Sequence, residues 1–389
     1  MAPESLKILF CNYEYPPLGG GGGVINALLA EELAKRHRVT VLTSSGPGLS
    51  PMGVENNVRV VRVPVYFRRN QATANLISML MYLLMAIREG GHLLKHESFD
   101  VINTHFALPS GPVGQWLSRR AGIPNVLSLH GGDLYDPSKF TSPHRHPVLR
   151  IWIRRLIRRA DRVIGQSTNT LNNLKQYYLP QLDAIRIPLG IKRPKIEAGD
   201  RKSYGIPEDE VLLVTVGRLI ARKAIHQLLI LMKSFRDLKI RLLVIGTGPQ
   251  EEQLRRDSQQ IGINNKVQFL GQVSESEKFR ILQMSDIYVS TSQHEGFGMV
   301  FLEAMACGIP VICYDYGGQT DFLKDQKNGY LIPLNNLKEF EARCLFLVQN
   351  QSLRKKMGQD NSRRVEELFI DRCAEQYESI FYEVIDGRR

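Results

Sequence analysis

Short runs of apolar, largely β-branched residues alternate with amphipathic stretches of helical period along almost the whole chain. In the first half the runs are Ile8–Asn12, Val39–Thr43, Val58–Val63, Val101–Thr104, Val126–Leu129 and Val163–Gln166. After a polar stretch, KRPKIEAGDRKSYGIPEDE, the pattern restarts with Val211–Val216, Arg241–Ile245, Val267–Leu270, Ile287–Ser290, Val311–Cys313 and Tyr330–Ile332. Runs of this length with helices between them are the signature of βα units and parallel sheets. The fold class predicted is α/β, with two doubly wound domains facing each other across a cleft. The expected division is 1–190, 191–370, and a C-terminal helix over 371–389 that packs back on the first domain. Ligands of such sheets bind beyond the carboxyl ends of the strands, so the loops after Asn12, Leu129, Gln166, Val216, Ile245 and Ser290 are where chemistry is to be sought.

A length of 389 residues agrees with two domains, and 43% hydrophobic with 23% charged residues excludes global disorder. Five cysteines without a CxxC pair exclude a disulfide scaffold or zinc ribbon and fit a reducing compartment. The opening run, MAPESLKILF, is too short for a signal peptide and starts a strand, so a cytoplasmic protein is expected. Charge is unevenly placed. Residues 1–198 hold 25 Lys/Arg against 13 Asp/Glu, while the remainder holds 26 of each, so the whole excess of +12 lies in the first half. A basic half suits nucleic acid, an anionic membrane surface or an acidic substrate. No aromatic platform or nucleic-acid motif accompanies it, so a nucleic-acid partner is not expected.

Five glycines, Gly19 to Gly23, separate the first strand from a helix carrying Ile25, Leu28, Leu29 and Leu33. Without side chains, the backbone of Gly20, Gly21 and Gly22 can approach a ligand at a helix N-terminus. The run is neither GxxxxGK[ST] nor GxGxxG, so a P-loop or dinucleotide site is not supported. His130-Gly-Gly-Asp133 brings an imidazole and a carboxylate to a strand end. Gly217-Arg218, with Lys223 five residues on, offers a planar and a point-charge cation suited to a diphosphate. Gly246 lies in a weaker glycine-rich loop. Most specific is His294-Glu295-Gly-Phe297-Gly298-Met299-Val300-Phe-Leu-Glu303, which opens a helix near Phe297. Its first amides attract an anion, and its two carboxylates can accept hydrogen bonds from sugar hydroxyls.

With these residues assembled, the chain resembles a retaining glycosyltransferase of the GT4 group, built on the two Rossmann-like domains of the GT-B fold. Glu295-x7-Glu303 carries most of the resemblance, supported by VGRLIARK, LVIGTGPQEEQL, VQFLGQV, PPLGGGGG, HGGD and IPLGI. The resemblance implies a nucleotide-sugar donor, a UDP- or GDP-sugar, and a glycan, lipid-linked or small-molecule acceptor. It implies that Arg218 and Lys223, the Phe297–Val300 amides and the glycine loop hold the diphosphate. Glu303 would take the ribose hydroxyls, Glu295 the sugar hydroxyls, and His130 would lie at the transferred sugar. Gly217, Gly246 and Asp133 would line the donor site. Three departures from the family pattern stand out: Ala224 where glycine is usual after the lysine, Asp321 where glutamate is usual, and Arg36-His37 for Gly-His. No Asp-x-Asp occurs in the chain, so neither a metal nor another cofactor is expected. Arg218, Lys223 and a helix dipole would stabilise the leaving group instead. An epimerase or phosphorylase on the same fold, or an inactive nucleotide-sugar-binding protein, are the alternatives.

Two stretches suggest contact with the inner face of a membrane without crossing it. Residues 72–87, ATANLISMLMYLLMAI, are flanked by Arg68, Arg69 and Arg88, and fall short of the ~20 needed to span. Residues 148–162 place Leu149, Ile153, Leu156 and Ile157 on one helical stripe. Arg150, Arg154, Arg155, Arg158, Arg159 and Arg162 crowd the rest, with Trp152 among them. Such a helix suits an anionic lipid surface. Its stripe equally suits a core, and its arginines an acidic acceptor.

Overall fold

The computed structural model describes residues 5–66, 75–195 and 197–388. It divides into two units, residues 1–192 with 369–389, and residues 193–368. The first carries β1 (Lys7–Cys11), α1 (Gly21–Leu33), β2 (Arg38–Ser44), β3 (Met52–Glu55), β4 (Val58–Val63), α2 (Leu76–His96), β5 (Val101–His105), α3 (Ser110–Ala121), β6 (Asn125–Leu129), α4 (Pro147–Arg159), β7 (Arg162–Gly165), α5 (Thr168–Tyr177) and β8 (Ile185–Arg186). The second carries β9 (Val211–Val216), α6 (Ile225–Ser234), β10 (Ile240–Ile245), α7 (Glu251–Gln260), β11 (Val267–Gly271), α8 (Glu275–Met284), β12 (Ile287–Ser290), α9 (Met299–Ala306), β13 (Val311–Tyr314), β14 (Gly329–Ile332), α10 (Leu337–Gln349) and α11 (Gln351–Val365). The last helix, α12 (Ile370–Asp386), belongs to the first unit.

All twelve apolar runs are strands. The first sheet is ordered β3-β4-β2-β1-β5-β6-β7-β8, the second β11-β10-β9-β12-β13-β14. Every pairing is parallel except β3 with β4. Each sheet is therefore doubly wound: the chain leaves β1 toward β2 and returns to β5, and it leaves β9 toward β10 and returns to β12. The loops after β1 and β5, and those after β9 and β12, thus flank the two topological switch points. Leu9 and Cys11 of β1 face Tyr82, Ala86 and Leu93 of α2 and Val113 and Leu117 of α3 in one apolar cluster. In the second unit, Leu213, Leu242, Val244 and Val289 pack with Leu228 and Met232 of α6 and Phe340 of α10.

The return of α12 has identifiable anchors. Ile370 N–H donates to the Ile191 carbonyl at 2.8 Å, and a Cβ on Gly190 would stand 2.6 Å from the Ile370 Cα, so only glycine lets the two segments cross there. Arg36 and His37, the pair that departs from the family pattern, both bind Glu378 of α12, at 2.7 and 2.8 Å. A buried stripe of Cys373, Ala374, Tyr377, Ile380, Phe381 and Val384 completes the dock.

The α4 stripe faces the core, which corrects the lipid-facing expectation for it. Ile153, Leu156 and Ile157 are buried, and Arg150 and Arg154 donate to the Tyr177 carbonyl. An amphipathic helix covering a sheet has the same period as one lying on lipid, so periodicity could not separate them. The outward apolar face lies instead on α2, where Leu76, Ile77, Leu80 and Leu84 are exposed. Positions 76, 80 and 84 recur every four residues, and exposed Arg88 follows on the same face. Arg68, Arg69 and positions 72–74 of the expected stretch lie outside the described residues. No described helix is long and apolar enough to cross a membrane.

Candidate functional site

In the second unit the loops after β9 and β12 meet. Lys223 and Glu295 form an ion pair, and Arg222 reaches the other carboxylate oxygen of Glu295 at 3.2 Å and also donates to the His294 carbonyl. Glu295 is buried. Burial alone would push its carboxyl up, but Lys223 and Arg222 outweigh it and bring the group down to about 2. Glu295 is thus an ionised acceptor at any physiological pH. Arg222 was not anticipated from the sequence, although it stands beside Lys223. Arg218 is exposed, free to swing onto an anion.

The glycines here have steric reasons. A Cβ on Gly217 would stand 3.1 Å from Lys223 Cε, so the missing side chain makes room for the lysine. Gly246 has φ +125°, and a Cβ there would fall 2.0 Å from the Gly217 carbonyl oxygen. Its role in the structure is close backbone approach between the two loops. Replacement of Gly246 by alanine is therefore expected to cost about 3 kcal/mol through strain and overlap. Denaturant unfolding checks this, and unchanged stability would contradict it. Ala224, the first departure in this unit, has φ +47°. The position calls for a left-handed backbone, which explains the usual glycine.

α9 begins at Met299, two residues later than expected, with Gly298 at φ +93° as its N-cap and no side-chain cap. A Cβ on Gly298 would lie 2.4 Å from the Phe301 ring. Phe297 is buried and packs on Phe322 at 5.1 Å, so its contribution to a ligand is restricted to the backbone. The early amides of α9, at Met299 and Val300, form an uncapped positive helix end. Glu303, one turn further, is buried. Its Oε1 accepts from Lys278 Nζ of α8 at 2.8 Å, while its Oε2 is buried without a partner. Burial raises its carboxyl and Lys278 opposes that rise. Lys278, which also binds Glu275, was missed in the sequence because it lies 25 positions away on another helix.

In the first unit, α1 starts inside the glycine run, with Gly20 as N-cap and no side-chain cap. A Cβ on Gly20 or Gly21 would meet nothing within 4 Å, whereas one on Gly22 would lie 2.5 Å from the Phe106 ring. Gly20 and Gly21 therefore have open space beside their Cα atoms, with the Gly20 amide donating to the Glu14 carboxylate at 3.2 Å, and Gly22 packs. Phe106, after β5, has φ +70° and lies with its ring centroid 4.4 Å from that of His130. His130 follows β6 and is buried. Burial lowers its imidazole to about 4, against a smaller upward pull from the Gln166 side chain. Its Nε2 lies 3.0 Å from His105 Nδ1, and its Nδ1 is buried without a protein partner. Asp133 is occupied differently from the expectation: its oxygens accept from the His130 and Ala107 amides at 3.0 and 2.8 Å. It shapes the loop rather than reaching out to a donor. Burial raises it to about 6 against those amide bonds.

Comparison with known proteins agrees with this geometry. Residues 197–364 match the family described as glycosyl transferases group 1, and residues 20–190 match the glycosyl transferase 4-like domain. The chain is 27% identical to N-acetyl-alpha-D-glucosaminyl L-malate synthase of Bacillus anthracis over 95% of this chain and 96% of that one. Among solved structures, sucrose-phosphate synthase from Thermosynechococcus elongatus superposes with a TM-score of 0.85 at 22% identity, covering 98% of this chain and 100% of that one. HepE of Anabaena, solved with UDP, superposes at 0.79 and 18% identity, covering 97% and 100%. With the two switch-point loops, the uncapped α9 and both glutamates in place, the chain belongs to the GT4-type, group 1 glycosyltransferases and has the GT-B fold.

Proposed function

We propose that the second unit binds the nucleoside diphosphate of a nucleotide-sugar, and that the enzyme transfers the sugar with retention of configuration and without a metal ion. The observation that carries this is Glu303. Its Oε2 is a buried acceptor without a partner, one turn into a helix whose amino end has no side-chain cap. A ribose hydroxyl would satisfy the acceptor, and a diphosphate would satisfy the helix end. Arg218, Arg222 and Lys223 then supply the positive charge that a departing diphosphate requires. UDP bound to the HepE relative favours a UDP-sugar.

Retention is supported by the state of Glu295. Both its oxygens are held by cations, which suits a group that orients sugar hydroxyls and not one that attacks carbon. Attack by the acceptor on the leaving-group face, with the departing phosphate oxygen taking its proton, needs no protein nucleophile. In the first unit, Gly20, Gly21 and His130 are assigned to substrate. A panel of UDP-, GDP- and ADP-sugars screened by thermal shift in EDTA tests the donor class. Stabilisation by none of them, or only after addition of Mg²⁺ or Mn²⁺, would overturn the reading.

We assign the acceptor side to a glycan or lipid-linked hydroxyl at the cytoplasmic face of a membrane, met by α2. Its exposed Leu76, Ile77, Leu80 and Leu84 lie on a unit that carries most of the chain's excess positive charge, +9 of the +12. Co-sedimentation with anionic vesicles at low salt is expected, falling as salt rises and falling strongly in the double variant Leu80→Ser, Leu84→Ser. Absence of binding to strongly anionic vesicles at low salt would make a soluble acceptor the better reading.

A further inference from the structure

We propose that His130 is held as its Nδ1–H tautomer by a one-way hydrogen-bond chain that starts at Tyr377 on α12 and runs through Ser128, Asn103 and His105. The purpose assigned to that tautomer, donation to a substrate oxygen, rests on the placement of His130 at substrate proposed above.

The polarity follows link by link. The Tyr377 hydroxyl donates to Ser128 Oγ at 3.1 Å. Ser128 in turn donates to Asn103 Oδ1 at 3.1 Å. That fixes the Asn103 amide with its Nδ2 toward His105 Nε2, 2.9 Å away. An amide nitrogen only donates, so His105 Nε2 must accept. A neutral imidazole carries one proton, which for His105 then sits on Nδ1 and points at His130 Nε2, 3.0 Å away. The same rule applied once more puts the proton of His130 on Nδ1.

Both rings are neutral. His105 and His130 are 1% and 8% exposed, and burial pushes both imidazoles well down. Parallel pairing of β5 with β6 sets His105 opposite Ser128, which brings the strand residues of the chain together at the sheet's carboxyl edge. The first link spans 249 positions, so the terminal helix that returns to the first unit supplies the group that orients the rest.

The end of the chain is left open. His130 Nδ1 is buried and makes no hydrogen bond within the protein, the neighbouring Gln166 side chain donating through Nε2 to the His130 carbonyl instead. An unsatisfied buried N–H is costly, and an incoming hydroxyl or phosphate oxygen removes the cost. The opposite tautomer would offer a lone pair, which repels a phosphate oxygen. Tyr377, Ser128, Asn103 and His105 are thus positioning residues for His130.

The test is ¹⁵N NMR of the full-length chain labelled at histidine, without ligand, with the His130 signals assigned by their loss in His130→Gln. Long-range proton–nitrogen correlations are expected to show Nδ1 protonated and Nε2 bare. Asn103→Asp replaces the donor by an acceptor and should reverse both rings. His130 then carries its proton on Nε2, and kcat/KM falls roughly tenfold to hundredfold. Tyr377→Phe keeps the ring and removes only the first donor. It should give a mixture of tautomers and a smaller fall, and it serves if Asn103→Asp fails to fold. A wild-type His130 protonated on Nε2, or the same tautomer in the wild type and both variants, would overturn the proposal. If the Nδ1–H tautomer is found but no nucleotide-sugar that binds the protein shifts its signals, the placement of His130 at substrate fails while the chain stands.

Discussion

Lys223→Met is expected to lower kcat by roughly two to three orders of magnitude, as loss of one preorganised charge at a leaving group does. In the unliganded protein Lys223 neutralises Glu295, and its side chain is 13% exposed. Binding of a diphosphate lets the same ammonium serve two anions, and its pull on the phosphate grows as the glycosidic bond breaks. An interaction that strengthens in the transition state appears in kcat more than in KM. The variant also leaves Glu295 with Arg222 alone, at a cost in stability on the order of 3 kcal/mol. Rates must therefore be referred to the folded fraction, measured by denaturant unfolding. A folded Lys223→Met enzyme with kcat within tenfold of wild type would refute the role. Arg218 is exposed and has to be recruited by the ligand, so its neutralisation should cost less.

Glu303→Gln is expected to weaken binding of a nucleoside diphosphate by roughly 1–3 kcal/mol, the range for a hydrogen bond to a charged acceptor in a buried site. The substitution keeps the shape but removes the charge that Lys278 pairs with at 2.8 Å, and it makes the free acceptor Oε2 ambiguous with an amide donor. Because the ribose is remote from the reacting carbon, the loss should fall mainly on affinity. Calorimetric titration decides it, and equal affinity in variant and wild type would show that Glu303 does not receive the ribose.

The strands were legible because parallel strands buried on both faces read as unbroken apolar runs. β3 and β8 escaped that reading. β3 is an antiparallel strand at one sheet edge with a largely exposed MGVE sequence, and β8 has two residues. Glu295 and Glu303 were legible together because one strand end and one helix start carry both. Their partners were less so. Arg222 needed the local turn that points it back at Glu295, and Lys278 needed α8 folded against α9. His105 needed the neighbourhood of β5 and β6, since nothing in its local sequence points to His130. Asp133 and Gly246 look like ligand residues because glycine and carboxylate at a strand end are common to sites and to tight loops. Only the hydrogen bonds of Asp133 and the Gly217 carbonyl beside Gly246 tell the two apart. The stripe on α4 misled for a similar reason, because period reports a buried face without saying what buries it.

The function proposed for the site is sugar transfer from a nucleotide donor held by Glu303, Lys223 and the amino end of α9. It is tested most directly by incubating the protein with ¹⁴C-labelled UDP-, GDP- and ADP-sugars in EDTA, with glycan and lipid-linked acceptors, and following nucleoside diphosphate release and the anomeric configuration of the product. Release from one donor class is expected, undiminished by EDTA, with an α-configured product from an α-configured donor and loss of release in Lys223→Met. No turnover of any donor without divalent metal, or an inverted product, would contradict it.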